Sequence, residues 1–280
     1  MQVSARPSRD GRCSPVFLSL AMGLAGCHSR GTLRPQAAAQ SDVRPGPSLQ
    51  APVNLLTDED AVVRVDLPDL FCSGTLIRED LVLTAHHCLV QYVGEEALPI
   101  DVAPEAVHVE LGGGHWPWGR VDVRTIVTPP CGYRTGHGDI AVLVLSRKLV
   151  GMPTMRIRLD GPARAGETIE VIGYGRCVGS KPGVARVHRF GGTVRGIGPG
   201  AFWAETAMCG GDSGGPALNP ATGEVLGVAS AADMDDDDRS TDPAFFTRLG
   251  IWKSLFVAAR AIADGEDPSR VLPLKGCAMQ

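Results

Sequence analysis

Aromatic residues make up only 5% of this 280-residue chain, and Lys supplies only four of its 27 basic side chains. Scarce aromatics beside 35 Gly and 21 Pro imply many turns and short elements. The Lys shortage reads as codon usage more than physics. Neither sign of charge dominates: the net charge is -4 and no basic cluster occurs, which argues against a nucleic-acid partner. There is no internal repeat, and beyond the N-terminal segment no apolar run is long enough to span a membrane. What remains is a length able to bury a large core, as one bilobed domain or two small ones.

Arg6, Arg9 and Arg12 precede an apolar stretch from Pro15 to Leu24, too short to cross a membrane as a mature helix. It ends in Leu24-Ala25-Gly26-Cys27, which resembles the lipobox of bacterial lipoproteins. That resemblance implies a signal peptide over 1–26, lipidation of Cys27 and an exported protein tethered by its acyl chains. The alternative is an ordinary signal peptide with an incidental Cys27. Either way the mature protein leaves the cytoplasm and disulfides are permitted. Residues 27–51, rich in Ala, Gln, Pro, Ser and Arg, read as a flexible tether. The expected location is the cell envelope, facing the periplasm or on the outer-membrane surface, or outside the cell after release.

From residue 61 onward short β-rich runs alternate with turn residues. They are 61–65, 72–77, 81–84, 107–111, 121–127 and 140–145, then 168–175, which ends in Gly173-Tyr174-Gly175, 186–194 and 201–204. Such spacing predicts a sandwich or barrel. Ile251, Trp252, Leu255, Phe256, Ala259 and Ile262 recur at helical spacing, stopped by Gly265 and Pro268.

Chemistry concentrates in Cys209-Gly210-Gly211-Asp212-Ser213-Gly214-Gly215-Pro216. Glycines around a serine predict a tight turn with the hydroxyl at its apex and backbone N–H groups beside it. Acyl transfer needs such a nucleophile and such a pocket for the oxyanion. The competing reading is a glycine loop with an incidental serine. Two further stretches bear on the choice. Leu81-Val82-Leu83-Thr84-Ala85-His86-His87-Cys88 runs a strand into a His pair, and Cys72 lies one strand back, where a hairpin brings it near Cys88. Gly138-Asp139-Ile140-Ala141-Val142-Leu143 sets an acid at the start of an apolar strand. Zinc ligation by His86 and His87 is disfavoured, because adjacent residues on a strand point to opposite faces.

Together these motifs resemble the trypsin/chymotrypsin-like serine peptidases, over about residues 53–263. The resemblance implies an all-β fold of two six-stranded antiparallel Greek-key barrels, about 52–151 and 164–250, with the active site between them. A C-terminal helix over 250–263 completes the peptidase domain (52–263), and 264–280 form a tail. It implies His87 as general base, Asp139 as its orienting acid and Ser213 as nucleophile. The order His, Asp, Ser suits this family. It excludes the α/β-hydrolases, which Gly211-Asp212-Ser213-Gly214-Gly215 formally matches, because all seven histidines (28, 86, 87, 108, 115, 137 and 188) precede Ser213.

The resemblance further implies an oxyanion hole from the N–H groups of Gly211 and Ser213, with Asp212 pairing with an α-amino group freed by cleavage. Pro52-Val53-Asn54-Leu55-Leu56 matches the family's cleavage sequence poorly, so that partner has no evident source. Ala207 and Met208 fall at the floor of the primary specificity pocket. Ser230, Ala231 and Ala232 fall on the strand that receives substrate backbone, and Ala244 on a pocket wall. Alanines at 232 and 244, where the family has glycine, imply a narrow apolar slot that selects small to medium apolar residues. Asp233-Met234-Asp235-Asp236-Asp237-Asp238 reads as a solvated loop, with a cation site or an attraction for basic substrates as the alternative for the run Asp235–Asp238.

Of eight cysteines, Cys13 and Cys27 belong to the leader and anchor. The other six permit fifteen pairings. The family implies Cys72–Cys88 and points to Cys177–Cys209, which leaves Cys131–Cys277. The expected protein is a monomeric serine endopeptidase acting on proteins or peptides through an acyl-enzyme, without metal or cofactor. The alternative is a catalytically silent, peptidase-like binding protein of the bacterial envelope.

Overall fold

The computed structural model describes residues 48–50, 56–93, 98–114, 117–130, 138–177, 185–235 and 240–274. Cys27, the leader and most of the tether, Cys131, Cys277 and Asp236–Asp238 lie outside these.

Two closed six-stranded antiparallel barrels are wound from twelve strands. The first holds β1 (Val62–Asp66), β2 (Phe71–Arg78), β3 (Leu81–Thr84), β4 (His108–Leu111), β5 (Gly119–Val127) and β6 (Ala141–Leu145). Around its wall the order is β1-β2-β3-β6-β5-β4, closed by β4 on β1. The second holds β7 (Thr168–Gly173), β8 (Val187–Ile197), β9 (Ala201–Glu205), β10 (Pro216–Asn219), β11 (Glu224–Met234) and β12 (Ser240–Arg248). Its order is β7-β8-β9-β12-β11-β10, the same winding repeated.

Alternation drives closure. In β5, Val121, Val123 and Val127 are buried while Arg120 and Asp122 face out, the period-2 pattern of a half-buried strand. Val142, Leu143 and Val144 of β6 are all buried, because helix α1 (Lys253–Ala263) covers the outer face of the first barrel there. Leu255, Phe256, Ala259 and Ile262 of α1 belong to that barrel's core. The predicted helix begins two residues later than its apolar period, after a 3-10 turn at Gly250–Trp252. It ends as expected at Gly265, whose φ of +107° allows the N–H groups of Gly265 and Glu266 to reach the carbonyls of Ile262 and Ala261.

The first strand run extends to Asp66, and the run at 186–194 continues to Ile197. A hairpin of Val90–Val93 with Leu98–Asp101 was not anticipated from the sequence.

Candidate active site

His87 sits on a single 3-10 turn, His86–Leu89, that follows β3. The strand argument for separating the two histidines is therefore corrected: they diverge because successive residues of a 3-10 turn point about 120° apart. His86 is 4% exposed and its Nε2 lies 2.7 Å from Asp101 Oδ1. His87 is half-buried and turns the other way, to Asp139 at the start of β6. The backbone N–H of His87 donates to Asp139 Oδ1, and its Nδ1 lies 2.8 Å from Oδ2.

Burial opposes the charge on Asp139, but hydrogen bonds from His87 and Ser230 outweigh it and hold the carboxyl below its usual range. An ionised carboxylate only accepts, so Nδ1 carries the proton and Nε2 keeps its lone pair when the ring is neutral. Asp139 is gripped from the second barrel too. The Ser230 hydroxyl donates to its Oδ2, and the Thr247 hydroxyl donates to its carbonyl at 2.9 Å. The Cys72–Cys88 bridge is present and closes against the His87 ring, with Cys88 Sγ 3.8 Å from Nε2. As disulfide sulfurs, these two offer no thiolate to a metal.

Cys177–Cys209 is also bridged, with Cα atoms 5.1 Å apart, and anchors the start of the glycine-rich loop. The Asp212 N–H donates to the carbonyl of Cys209, and Gly211 between them has a φ of +100°. A four-residue turn with positive φ only at its third residue is type II, and glycine meets that need without strain. The carbonyl of Gly210 is tied to the N–H of Arg176 at 2.9 Å. Since the two ends of a trans peptide point oppositely, this turns the Gly211 N–H away from Arg176. Asp212, Gly214 and Gly215 all donate their N–H groups inside the loop or to Ala229. The N–H groups of Gly211 and Ser213 have no protein acceptor among the described residues.

Ser73, on β2, joins the loop to the first barrel. Its N–H donates to Ser213 O and its hydroxyl donates to Gly211 O, each at 2.8 Å. The same hydroxyl accepts the N–H of Tyr174 at 2.9 Å, and its carbonyl accepts from Thr84, beside the histidine turn. Ser213 thus reaches the His87 side through backbone neighbours. Among the described residues no hydrogen bond joins its hydroxyl to His87, a contact that in such sites often tightens only with substrate.

Asp212 is fully buried. Its Oδ1 accepts from Gly175 N–H at 2.8 Å, and Oδ2 from Cys209 N–H and from Arg189 Nη2, both at 2.9 Å. Burial pushes its pKa up, against Arg189 and the two N–H donors. Every partner is a donor, which suits a carboxylate and not a protonated acid. Gly173-Tyr174-Gly175 forms the cradle, β7 ending at Gly173 and not at Gly175 as its run predicts. A Cβ on Gly175 would stand 2.5 Å from both carboxylate oxygens of Asp212. Tyr174 is buried, which pushes its phenol up, and its hydroxyl donates to Gly112 O of the first barrel at 2.6 Å.

Met208 is 1% exposed and packs in the second barrel's core with Ala229 and Ala244, with Ala232 against the edge of that cluster. Its N–H and carbonyl pair with Ser240. Ala232 stands directly across from Ala244 in the β11–β12 ladder. Ala207 and Ala231 are exposed. Ser230 shares the strand of Ala231, but its hydroxyl belongs to Asp139. Sequence reasoning assigned no role to Arg189, Ser73 or Thr247, and of the three only Arg189 lies outside every motif of the sequence.

The trypsin family model matches residues 56–254. The mouse peroxisomal leader peptide-processing protease is 28% identical over 223 residues, covering 75% of this chain and 35% of that protein. The chain thus spans about a third of the length of the curated relative it matches. Similar solved structures include human heparin binding protein (18% identity, TM-score 0.59, 76% of this chain and 96% of that one). A Glu endopeptidase (19%, 0.57, 80% and 100%) and a scabies mite inactivated protease paralogue (20%, 0.58, 75% and 94%) share the fold as well.

Proposed function

Since the chain belongs to the trypsin family, we propose that it is a serine endopeptidase with Ser213 as nucleophile, His87 as general base and Asp139 as its orienter. Likeness of fold does not decide activity, because an inactivated protease paralogue and an endopeptidase are similar to this chain to the same degree. The observation that carries the reading is the pairing pattern of the loop. Among the described residues Gly211 and Ser213 keep their N–H groups without protein acceptors while Asp212, Gly214 and Gly215 spend theirs.

In the proposed reaction Ser213 Oγ attacks the scissile carbonyl and passes its proton to His87 Nε2. Asp139 stays ionised and steadies the imidazolium. The two N–H groups receive the oxyanion. The proton then goes to the leaving amine, and water repeats the sequence on the acyl-enzyme. Fluorophosphonate labelling tests this: the chain is expected to label at Ser213, and Ser213→Ala to stay unlabelled. A wild-type chain that never labels points instead to a silent binding protein.

The pocket reading is that Ala207, Met208, Ala232 and Ala244 favour small to medium apolar side chains. The support is the buried Met208 and the two facing methyl groups. For localisation, we propose export and lipidation at Cys27, supported by the Leu24-Ala25-Gly26-Cys27 sequence. Incorporation of a labelled fatty acid that Cys27→Ser abolishes is the expected outcome.

A further inference from the structure

Gly211 and Ser213 can serve an oxyanion only while the turn that carries them keeps its shape, and Asp212 sits at the centre of that turn. A fully buried carboxylate needs a cation. The family pattern supplies one by cutting the chain near Val53 and folding the new α-amino group inward. Here the position beside Asp212 Oδ2 is already taken by Arg189.

Arg189 lies on β8, in register with Val171 of β7. It is therefore part of the barrel wall from the moment the barrel closes. Its side chain is 9% exposed. The Nη2 atom reaches Asp212 Oδ2 at 2.9 Å and donates to Gly175 O at 3.1 Å. Its Nη1 is buried with no hydrogen-bond partner among the described residues, so the placement of the guanidinium answers to Asp212 and Gly175. A guanidinium stays charged at any working pH, whereas an α-amino group titrates near pH 8 and exists inside the protein only after cleavage.

We infer that Arg189 is a positioning residue that assembles the oxyanion turn through Asp212, so that the uncut chain is competent for acyl transfer. The inference rests on the reading of Gly211 and Ser213 as oxyanion donors. Arg189 touches neither substrate nor the reacting atoms; it acts by fixing Asp212, and with it the Cys209–Asp212 turn.

The test uses the full chain, its intact mass verified to show no cut near residues 52–56, with Ser213→Ala as control. Fluorophosphonate is expected to label the uncut wild type. Arg189→Met is expected to lose about 10²-fold or more in labelling rate and kcat, the scale of a lost oxyanion donor, with KM changed by less than about threefold. Methylguanidine added to Arg189→Ala is expected to restore labelling, and N-methylurea, of similar shape but neutral, is not. If Arg189→Met does not fold by near-ultraviolet circular dichroism, Arg189→Lys is read instead, with a fall in kcat at unchanged KM supporting the assignment. Wild-type labelling that appears only after cleavage, or Arg189→Met labelling at the wild-type rate, overturns it. A wild type that labels in no form refutes the endopeptidase reading alone. Hydrogen exchange then decides: faster exchange confined to 209–215 in Arg189→Met supports Arg189 as the positioning residue, and unchanged exchange overturns it.

Discussion

The hydroxyl of Ser73 donates to the carbonyl of Gly211 at 2.8 Å, from one barrel to the other. The same oxygen accepts from Tyr174 N–H, and the Ser73 N–H holds the carbonyl of Ser213. One small side chain on β2 therefore sets the height of the glycine-rich loop above the first barrel. Ser73→Ala leaves a buried donor and a buried acceptor unpaired. The expected cost is about 1–3 kcal/mol of stability, read by urea unfolding. A roughly tenfold drop in kcat, about 1.4 kcal/mol in the barrier, should accompany it. Unchanged stability and turnover would remove Ser73 from this account.

Gly175 is fixed by the carboxylate it cradles. Adding a methyl group there places carbon 2.5 Å from both Asp212 oxygens, and something must move. Gly175→Ala is expected to displace Asp212 from Arg189 and lower the Ser213 labelling rate by about 10²-fold. Gly114→Ala, whose Cβ meets nothing within 4 Å, is the comparison and should label as the wild type does.

Asp139 links stability to pH with a definite sign. Its folded carboxyl is held below the ordinary value despite burial, by His87 and Ser230. Its stabilising contribution is therefore complete above the unfolded value of about 3.9, and it fades as pH falls through the lower folded value. Asp139→Asn should flatten the acid limb of a melting-temperature profile taken from about pH 2 to 7. The same substitution should cut kcat by roughly 10⁴, because an amide no longer fixes the imidazole tautomer. Superimposable acid limbs would contradict the linkage.

The facing methyl groups of Ala232 and Ala244 make a prediction about selectivity. A panel of fluorogenic peptides should show kcat/KM at least about 10²-fold higher for Ala, Val or Leu than for Arg or Lys at the cleaved residue, since an unpaired cation in an apolar slot is costly. Ala244→Gly should shift the preference toward larger side chains. Preference for a basic residue would overturn the pocket reading.

Much of this was legible because it is local. Alternating valines announce strands such as β5, and the helical period from Leu255 to Ile262 survives intact in α1. The His, Asp and Ser motifs each sit in an unbroken run of a few residues. Arg189 was not legible, because nothing near it in sequence distinguishes it from the other arginines; only closure of the second barrel brings β8 under the loop that follows β9. Ser73 sits in the readable run Cys72–Ile77, but its role was hidden, because Gly211 and Tyr174 reach it only from the opposite barrel. The hairpin of Val90–Val93 with Leu98–Asp101 escaped because two four-residue strands give too short a pattern to read, yet it carries the Asp101 that meets His86.

Helix α1, the last long element of the peptidase fold, returns to complete the core of the first barrel. During synthesis the lobe bearing His87 and Asp139 is therefore left with one greasy flank uncovered until Lys253–Ala263 has been made. Ser230 and Thr247, which steady Asp139, arrive only shortly before that helix. A chain truncated before Lys253 therefore leaves the core of the first barrel uncovered, however complete its His87, Asp139 and Ser213 motifs are.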